Sequence, residues 1–325
     1  MSVKNSEGIF GLGFSEADAQ LVLLPVPFEA TTSYGVGTLE GPENILQASG
    51  QVDLYHPTYN EAWKAGIYQL PEDSRIKAWN FEAKKLVDEI RSSAATDKSK
   101  AKIDQVNAIS KTLTDFIYEQ AKERLSENKK FGVIGGDHSA PLGSIRAHLE
   151  KFPLMGILHF DAHYDLRESY EGFEQSHASI MYNVLQMKNL KSLTTVAIRD
   201  FCEEEATLAD SDKRVKSFPA HQLFDWKASG TSWSDICEKI ISTLPEQVYI
   251  SFDVDGLDPT YCPGTGTPVP GGLSYAEASY LLRRLLHAKK KIVGFDLCEV
   301  GASEFDGNVG ARLLFELSLL CLSSI

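Results

Sequence analysis

The sequence predicts an α/β protein in which a mostly parallel β-sheet is covered by α-helices. Three observations support this class. Short apolar segments recur along the chain, amphipathic helical patterns lie between them, and polar clusters directly follow three of the apolar segments. Alternation of strands and helices is typical of a parallel sheet, because each parallel crossover needs a connection about as long as a helix.

Six segments are predicted to be strands because they are apolar at nearly every position. This pattern is expected of strands that are buried on both faces. They are QLVLLPV (20–26), FGVIGG (131–136), LMGILHF (154–160), LTTVAI (193–198), QVYISFD (247–253) and KIVGFDL (291–297).

The spacing of apolar residues predicts helices between these strands. One helix has an apolar stripe at three- and four-residue spacing, formed by Ile103, Val106, Ile109, Leu113, Phe116, Ile117 and Leu125. The polar segment before it, residues 91–102, is predicted to be an exposed loop between two helices. Another helix is predicted to begin after Ser274, with Glu277 as its capping-box partner. No internal repeat or low-complexity linker divides the chain, so we expect a single domain spanning residues 1–325.

Composition and charge argue against several classes of partner. The 325 residues carry a formal net charge of −13, whereas nucleic acids and anionic membranes bind basic surfaces. No stretch approaches the ~18 consecutive apolar residues of a membrane span, and the N-terminus lacks the pattern of a signal peptide. The five cysteines are scattered without a C-x-x-C motif, so we expect neither a disulfide framework nor a structural zinc site. The expected location is the cytoplasm.

Imidazole and carboxylate side chains directly follow three of the predicted strands. They are His138 after the second strand, Asp161, His163 and Asp165 after the third, and Asp253 and Asp255 after the fifth. Side chains two residues apart in an extended chain point the same way. Ligands bind beyond the carboxyl ends of parallel strands. We therefore expect these two imidazoles and four carboxylates to converge at one edge of the sheet.

Four clustered carboxylates would repel one another unless cations neutralised them. Six ligands exceed the needs of one open catalytic ion but suit two divalent ions that share a hydroxide. The carboxylate-rich set favours Mn²⁺, although imidazole also suits Zn, Ni, Co or Fe. Any one cluster could instead be a turn or a helix cap, so the prediction depends on all three occurring together. His159 lies deeper in its apolar strand, and we expect a buried, hydrogen-bonded core residue rather than a ligand.

With these clusters the sequence resembles the ureohydrolases, the family of arginases, agmatinases, formimidoylglutamases and related guanidino or formimino hydrolases. GGDHS (135–139), DAHYD (161–165) and SFDVDGLDPTYCPGTGTPVPGG (251–272) resemble its three metal-binding motifs. The resemblance implies a three-layer αβα fold around a parallel sheet of about eight strands. It also implies two Mn²⁺ ions per chain and a homotrimer or homohexamer.

The resemblance assigns further roles within this site. Glu299, directly after KIVGFDL, matches the acidic residue that holds a substrate guanidinium, and His177 in EQSHASIM matches a histidine of a mobile substrate loop that shuttles protons. Asp165 would aim the attacking hydroxide and could supply a proton to the leaving amine. The implied reaction is hydrolysis of a guanidino compound to urea and an amine. The alternatives are that Glu299 merely starts a loop and that His177 is an ordinary loop histidine.

Arg167 bears on the choice of substrate. Arginase-like sequences have asparagine at this position, so arginine is not the expected substrate. DAHxDLR resembles formimidoylglutamases, which release formamide from N-formimidoyl-glutamate, whereas His177 and PGTGTPVPGG resemble agmatinases. Arg167 could bind the substrate tail, or it could pair with Glu168, Glu171 or Glu174. We expect an agmatinase-like enzyme, with a formimidoylglutamase or a non-catalytic metal-binding relative as the alternatives.

Overall fold

A single sheet of eight parallel strands forms the centre of the molecule. The structure is a computed structural model that describes residues 8–92 and 97–324. The sheet has the order β2-β1-β3-β8-β7-β4-β5-β6. Its strands are β1 (Leu21–Val26), β2 (Ile67–Gln69), β3 (Lys130–Gly135), β4 (Gly156–Phe160), β5 (Ser192–Val196), β6 (Val215–Phe218), β7 (Gln247–Asp253) and β8 (Lys291–Cys298). The predicted parallel sheet of about eight strands is confirmed.

Helices surround this sheet. They are α1 (Gly41–Ser49), α2 (Ser74–Arg91), α3 (Asp97–Ser126), α4 (Leu142–Lys151), α5 (Ile180–Leu185), α6 (Glu203–Ser211), α7 (Ala220–Ala228), α8 (Trp233–Ser242), α9 (Tyr275–His287) and α10 (Glu304–Ser323). None of the helices within residues 8–92 and 97–324 combines the length and the apolar character needed to cross a membrane.

Apolar cores lie between the helices and each face of the sheet, because alternate side chains of each strand point to opposite faces. On one face, Leu158 and Ile250 pack in a core that also contains Leu281 of α9 and Leu317 of α10. On the other face, strand residues pack in cores that contain residues of α3, α4 and α5. The expected three-layer αβα arrangement is therefore confirmed.

All six predicted strands are present, with ends shifted by at most two residues. The prediction missed β2 and β6, which are the two edge strands of the sheet. They have only three and four residues, and β6 includes the exposed Lys216. An edge strand is paired on one side only, and native edges are often short or charged. Such strands lack the continuous apolar pattern that identified the central ones.

The predicted helix between β2 and β3 is α3, and four residues of its apolar stripe are buried: Val106, Leu113, Ile117 and Leu125. The predicted loop over residues 91–102 is wrong at its C-terminal end, because α3 already begins at Asp97. Lysine and alanine favour helix, so a polar segment of this kind can continue a helix on its solvent side. Residues 93–96 lie outside the described residues. The capping box of α9 is confirmed, since Ser274 and Glu277 bond to each other's backbone N–H groups.

Candidate metal centre

The order of the strands brings the candidate site residues together. The four central strands are neighbours in the order β3, β8, β7, β4. His138 follows β3, Glu299 directly follows β8, Asp253 ends β7, and Asp161 directly follows β4. Residues separated by up to 161 positions therefore meet at the carboxyl edge of the sheet. The structure places all six predicted ligand residues and Glu299 at this edge.

The imidazole of His138 lies among three carboxylates. Its Nδ1 is 3.0 Å from Oδ2 of Asp161, 2.9 Å from Oδ2 of Asp165 and 3.5 Å from Oδ2 of Asp253. A second imidazole extends the cluster, because Nδ1 of His163 is 3.1 Å from Asp255 Oδ2 and 3.4 Å from Asp161 Oδ1. The two histidines thus lie on either side of the Asp161 carboxylate.

A serine and a buried aspartate fix the orientation of the His138 ring. Nε2 of His138 is 2.9 Å from Ser251 Oγ, and Ser251 Oγ donates to Asp296 Oδ1 at 3.1 Å. Because the serine hydrogen goes to Asp296, Ser251 accepts a hydrogen from Nε2, so Nδ1, which faces the carboxylates, is the nitrogen that a bound metal ion would use. This arrangement is typical of metal-binding histidines. The sequence prediction missed Ser251 and Asp296, although a polar residue inside an apolar strand is itself a signal.

Asp165 and Glu299 adopt unusual backbone conformations. Their φ angles are 55° and 61°, in the left-handed region that residues other than glycine rarely occupy. Surrounding hydrogen bonds hold them there: the Glu299 N–H donates to Gly136 O at 2.8 Å, and the Met181 N–H donates to Asp165 O at 3.0 Å. Such strain costs about 1–3 kcal/mol and is concentrated at functional sites. Both carboxylates of the cluster are thus held on backbone that needs support from its surroundings.

Burial and mutual repulsion disturb the titration of this cluster. Burial, reinforced by the carboxylates of Asp255 and Glu299, raises the pKa of Asp253 well above its usual range. Burial and the Asp161 carboxylate raise the pKa of Asp165 to about 7. Burial alone would lower the pKa of His163, but the Asp255 and Asp161 carboxylates raise it to about 12. The cluster therefore has excess negative charge that favours cations.

The donor atoms fit two divalent cations. Four groups of the described residues have ligand atoms within 4.8 Å of one another. One contains a thiol and consists of His138, Asp296 and Cys298, and the other three are His138, His159, Asp161 and Asp165; Asp161, His163 and Asp255; and Asp253, Asp255 and Glu299. The last three, which contain no thiol, are the candidate sites for the two ions. Asp161 and Asp255 each belong to two of these three groups, so each would contribute to holding both ions. These donors are imidazole nitrogen and carboxylate oxygen, which suit hard or borderline divalent metals. His159 is fully buried, as expected, and its Nε2 lies 2.9 Å from Asp161 Oδ2, whereas its Nδ1 has no hydrogen-bond partner among the described residues.

Arg199 holds the loop that follows Asp255, and the sequence prediction missed it. Its guanidinium donates to the carbonyl oxygens of Asp255 at 2.7 Å, Leu257 at 3.2 Å and Val269 at 2.8 Å. Gly266 of this loop lies against Glu299, where a Cβ atom would come within 2.8 Å of Oε2. The glycine- and proline-rich loop thus packs closely beside the cluster.

His177 and Arg167 line the same cavity as the cluster. The cavity has a volume of about 390 Å³, and its lining includes Asp165, Asp253 and Glu299. His177 is buried, and this burial lowers its pKa to about 3, so the ring is neutral at neutral pH.

The ion-pair partners suggested for Arg167 are wrong. Nε of Arg167 is 3.6 Å from Oε2 of Glu205, whereas Glu171 pairs with Arg91 at 2.8 Å. Glu205 belongs to the capping box of α6, where it also accepts from the Cys202 N–H. A partner 38 residues away along the chain could not be found from local spacing.

A parallel αβα protein with a buried cluster of imidazoles and carboxylates beyond its central strands belongs to the class of candidate metal-dependent hydrolases. A model of the Arginase family matches residues 19–319, and the chain belongs to this family. The resemblance inferred from the three motifs is thereby confirmed. The arginase family uses a binuclear metal centre, and the clustered residues here are candidate ligands for one.

Similar proteins of known sequence carry ureohydrolase names. The chain is 34% identical over 296 residues to the N(1)-aminopropylagmatine ureohydrolase of Synechocystis sp., covering 88% of this chain and 83% of the relative. It is 30% identical over 327 residues to the agmatinase of Photorhabdus laumondii, covering 98% and 94%.

Solved structures agree with the fold. The agmatine ureohydrolase of Thermoplasma volcanium superimposes with a TM-score of 0.73 at 24% identity, covering 98% of this chain and 94% of the other. The arginase of Medicago truncatula gives a TM-score of 0.69 at 25% identity, covering 94% and 88%. The expected arginase-like fold is thus confirmed.

Proposed function

We propose that this chain hydrolyses a guanidino compound with a cationic tail, of the agmatine type, to urea and an amine. The observation that carries this proposal is one cavity lined by His177 and Glu299 together with His163, Asp165 and Asp253 of the candidate metal cluster. Relatives named agmatinase and N(1)-aminopropylagmatine ureohydrolase support the same reaction.

Glu299 is the residue proposed to hold the guanidinium. Its carboxylate is buried, and burial together with the Asp255 and Asp137 carboxylates raises its pKa well above the usual range. A planar cation offers this carboxylate two parallel N–H groups and supplies the positive charge that it lacks. Glu299 thus binds the part of the substrate that reacts.

Asp165 and His177 are proposed to move protons. Bound divalent ions would lower the pKa of a water molecule and so make a nucleophile available at neutral pH. The water oxygen forms a bond to the guanidinium carbon, and the C–N bond to the tail breaks. Both water hydrogens end on the leaving nitrogen, which departs as an ammonium group. Asp165 accepts the first of them, and Asp165 or His177 delivers it to that nitrogen.

The proposed metal ligands are His138, Asp161, His163, Asp165, Asp253 and Asp255. Four carboxylates in this set favour Mn²⁺ as the ion, with two ions per chain. A homotrimer or homohexamer in the cytoplasm also belongs to the proposal. Metal analysis and mass measurement of the purified protein test these parts separately from activity.

Charges near the opening of the cavity favour a cationic tail. Arg167 pairs with Glu205, so its charge is offset by a carboxylate that also lines the cavity. Asp200 lines the cavity as well, and its side chain is 70% exposed. An anionic tail such as that of formimidoyl-glutamate would compete with Glu205 for Arg167 and be repelled by Asp200. These charges therefore favour an agmatinase-like substrate over that of a formimidoylglutamase.

A substrate panel tests the proposal. Protein loaded with Mn²⁺ is incubated with agmatine, N(1)-aminopropylagmatine, guanidinobutyrate, guanidine, arginine and formimidoyl-glutamate. We expect urea from the compounds with a cationic tail and none from a Glu299→Gln control that retains its metal. Formamide from formimidoyl-glutamate would reassign the substrate. Absence of both products across the panel would favour a non-catalytic metal-binding relative.

A further inference from the structure

We propose that Thr31 is a positioning residue that fixes the tautomer of His177. The inference rests on the proposed function, because it concerns a residue to which that proposal gives a proton-transfer role. Thr31 lies between β1 and α1, in a segment remote in sequence from every motif that identified the site. Its side chain is fully buried.

The hydroxyl of Thr31 contacts three polar groups from two other parts of the chain. Oγ1 is 3.3 Å from Nδ1 of His177 and accepts from the His177 backbone N–H, also at 3.3 Å. It donates to Oδ2 of Asp137 at 3.4 Å. The hydroxyl therefore bridges the histidine and a buried carboxylate that neighbours the candidate ligand His138.

The number of available hydrogens determines the tautomer. A hydroxyl has one hydrogen, and a carboxylate is a stronger acceptor than a neutral imidazole because the bond is charge-assisted. When the Thr31 hydrogen goes to Asp137, the Thr31 oxygen is left as the acceptor for the Nδ1–H of His177. A neutral imidazole carries one N–H, so Nε2 then has a free lone pair. In this tautomer His177 can first take up a proton through Nε2 and then release it to the leaving amine.

The surroundings keep Thr31 in place. Arg91, at the end of α2, donates to the carbonyl oxygens of Thr31 at 3.4 Å and Thr32 at 2.9 Å. The same guanidinium pairs with Glu171 in the segment that leads to His177. In the same segment, the Tyr170 ring meets the His177 ring edge-on at 5.5 Å between centroids. The hydroxyl and the imidazole are thus held by one network.

Three variants test the role of the hydroxyl. Thr31→Val keeps the shape of the side chain but removes the hydroxyl, and Thr31→Ser restores it. Thr32→Val is the matched control, since the Thr32 hydroxyl donates to Glu29 O, away from His177. We expect Thr31→Val to lower kcat roughly 10- to 100-fold, with KM for agmatine and metal content little changed. Thr31→Ser should recover most of the loss, and Thr32→Val should resemble the wild type.

A spectroscopic measurement tests the tautomer without relying on turnover. In protein labelled with ¹⁵N-histidine, the His177 signals are assigned by their loss in His177→Asn. We expect a protonated Nδ1 and an unprotonated Nε2 in the wild type and in Thr31→Ser, and a changed or mixed state in Thr31→Val. If Thr31→Val does not fold, Thr31→Ala serves in its place.

The two readouts separate the failure of this inference from that of the proposed function. If no guanidino compound yields urea, the proposed function fails, whereas the ¹⁵N spectra still decide whether Thr31 sets the tautomer. An Nε2-protonated His177 in the wild type would overturn the inference. So would a wild-type kcat in Thr31→Val, or equal losses in Thr31→Val and Thr31→Ser.

Discussion

The floor and the rim of the cavity differ in how their charges are balanced. The floor comprises the candidate ligand cluster and Glu299, which follow the central strands. His163, Asp165, Asp253 and Glu299 line the cavity, and His138, Asp161 and Asp255 lie against them in the cluster. The rim consists of Tyr34, Arg167, Tyr170, Asp200 and Phe201, which line the cavity and are exposed or half-buried. All floor residues except His163 are at most 5% exposed, whereas Tyr34 is 85% exposed.

This difference indicates that the floor and the rim of the cavity have separate roles. Floor carboxylates are buried together and pair with imidazoles, an arrangement that binds external cations. Rim charges meet partners within the protein, as Arg167 meets Glu205, and they remain partly in contact with solvent. Interactions in the floor are strong because solvent screens them little, and those at the rim are weak because it screens them more. We therefore expect chemistry to depend on the floor and substrate choice on the rim.

The largest effect is expected from Asp255→Asn, which removes a charge from the centre of the floor. Asp255 belongs to two of the candidate ligand groups. Its loss should weaken metal binding and lower kcat/KM on the order of 10³-fold, since metal ions contribute several kcal/mol of charge stabilisation. Metal content and urea release are measured together. Asp258→Asn, three residues along the same loop, is the control and should keep its metal; full metal content and activity in Asp255→Asn would contradict the binuclear floor.

Glu299→Gln should separate substrate binding from metal binding within the floor. We expect retained metal and a loss of roughly 3–5 kcal/mol in transition-state stabilisation, as for a buried charge pair that loses one member. The measurement is kcat/KM for agmatine beside the metal content. Glu304→Gln, an exposed carboxylate at the start of α10, provides the comparison. Near-normal kcat/KM in Glu299→Gln would place the guanidinium elsewhere.

Ser251→Ala should show that metal binding by the floor residues depends on side chains that hold them in place. The substitution removes the acceptor for His138 Nε2–H and leaves the ring free to change its orientation or tautomer. Loss of such an outer partner lowers metal affinity by about 10- to 100-fold. Competition with a chelator measures this affinity. Ser318→Ala, which removes a buried hydroxyl bonded to Leu314 O in α10, should have no effect on it; equal affinities for both variants would mean that Ser251 does not support the floor.

The smallest effect is expected at the rim. Arg167→Ala leaves Glu205 without its partner and adds net negative charge where a cationic tail would lie. KM for agmatine should fall by about 2-fold, and the change should shrink at high salt because the pair is partly exposed. Arg146→Ala, which breaks a comparable pair with Asp115, serves as the distant control. A large loss of agmatine hydrolysis in Arg167→Ala, with the metal retained, would show that the rim takes part in the chemistry.

Local patterns in the sequence were sufficient to predict most residues of the floor. Asp161, His163 and Asp165 directly follow an apolar strand, and a position at a strand end depends only on the segment itself. The capping box at Ser274 and the apolar stripe of α3 were predictable for the same reason. The extended backbone expected at the strand ends is wrong, because Asp165 has a φ of 55° and a 3-10 helix forms over Val254–Gly256. The short edge strands β2 and β6 were not predicted, because few of their positions are covered on both faces.

The sequence by itself thus determined the six longer strands, the helices α3 and α9, and the side chains that stand at the strand ends, because these depend on periodicity and on neighbours a few residues away. Only the tertiary structure decided which strand ends are adjacent. The order β3-β8-β7-β4 brings His138, Asp161, Asp253 and Glu299 together. The tertiary structure also decided the pairings of Arg167 with Glu205, Ser251 with Asp296, and Thr31 with His177. Such contacts depend on how distant segments pack, and local spacing carries no information about that packing.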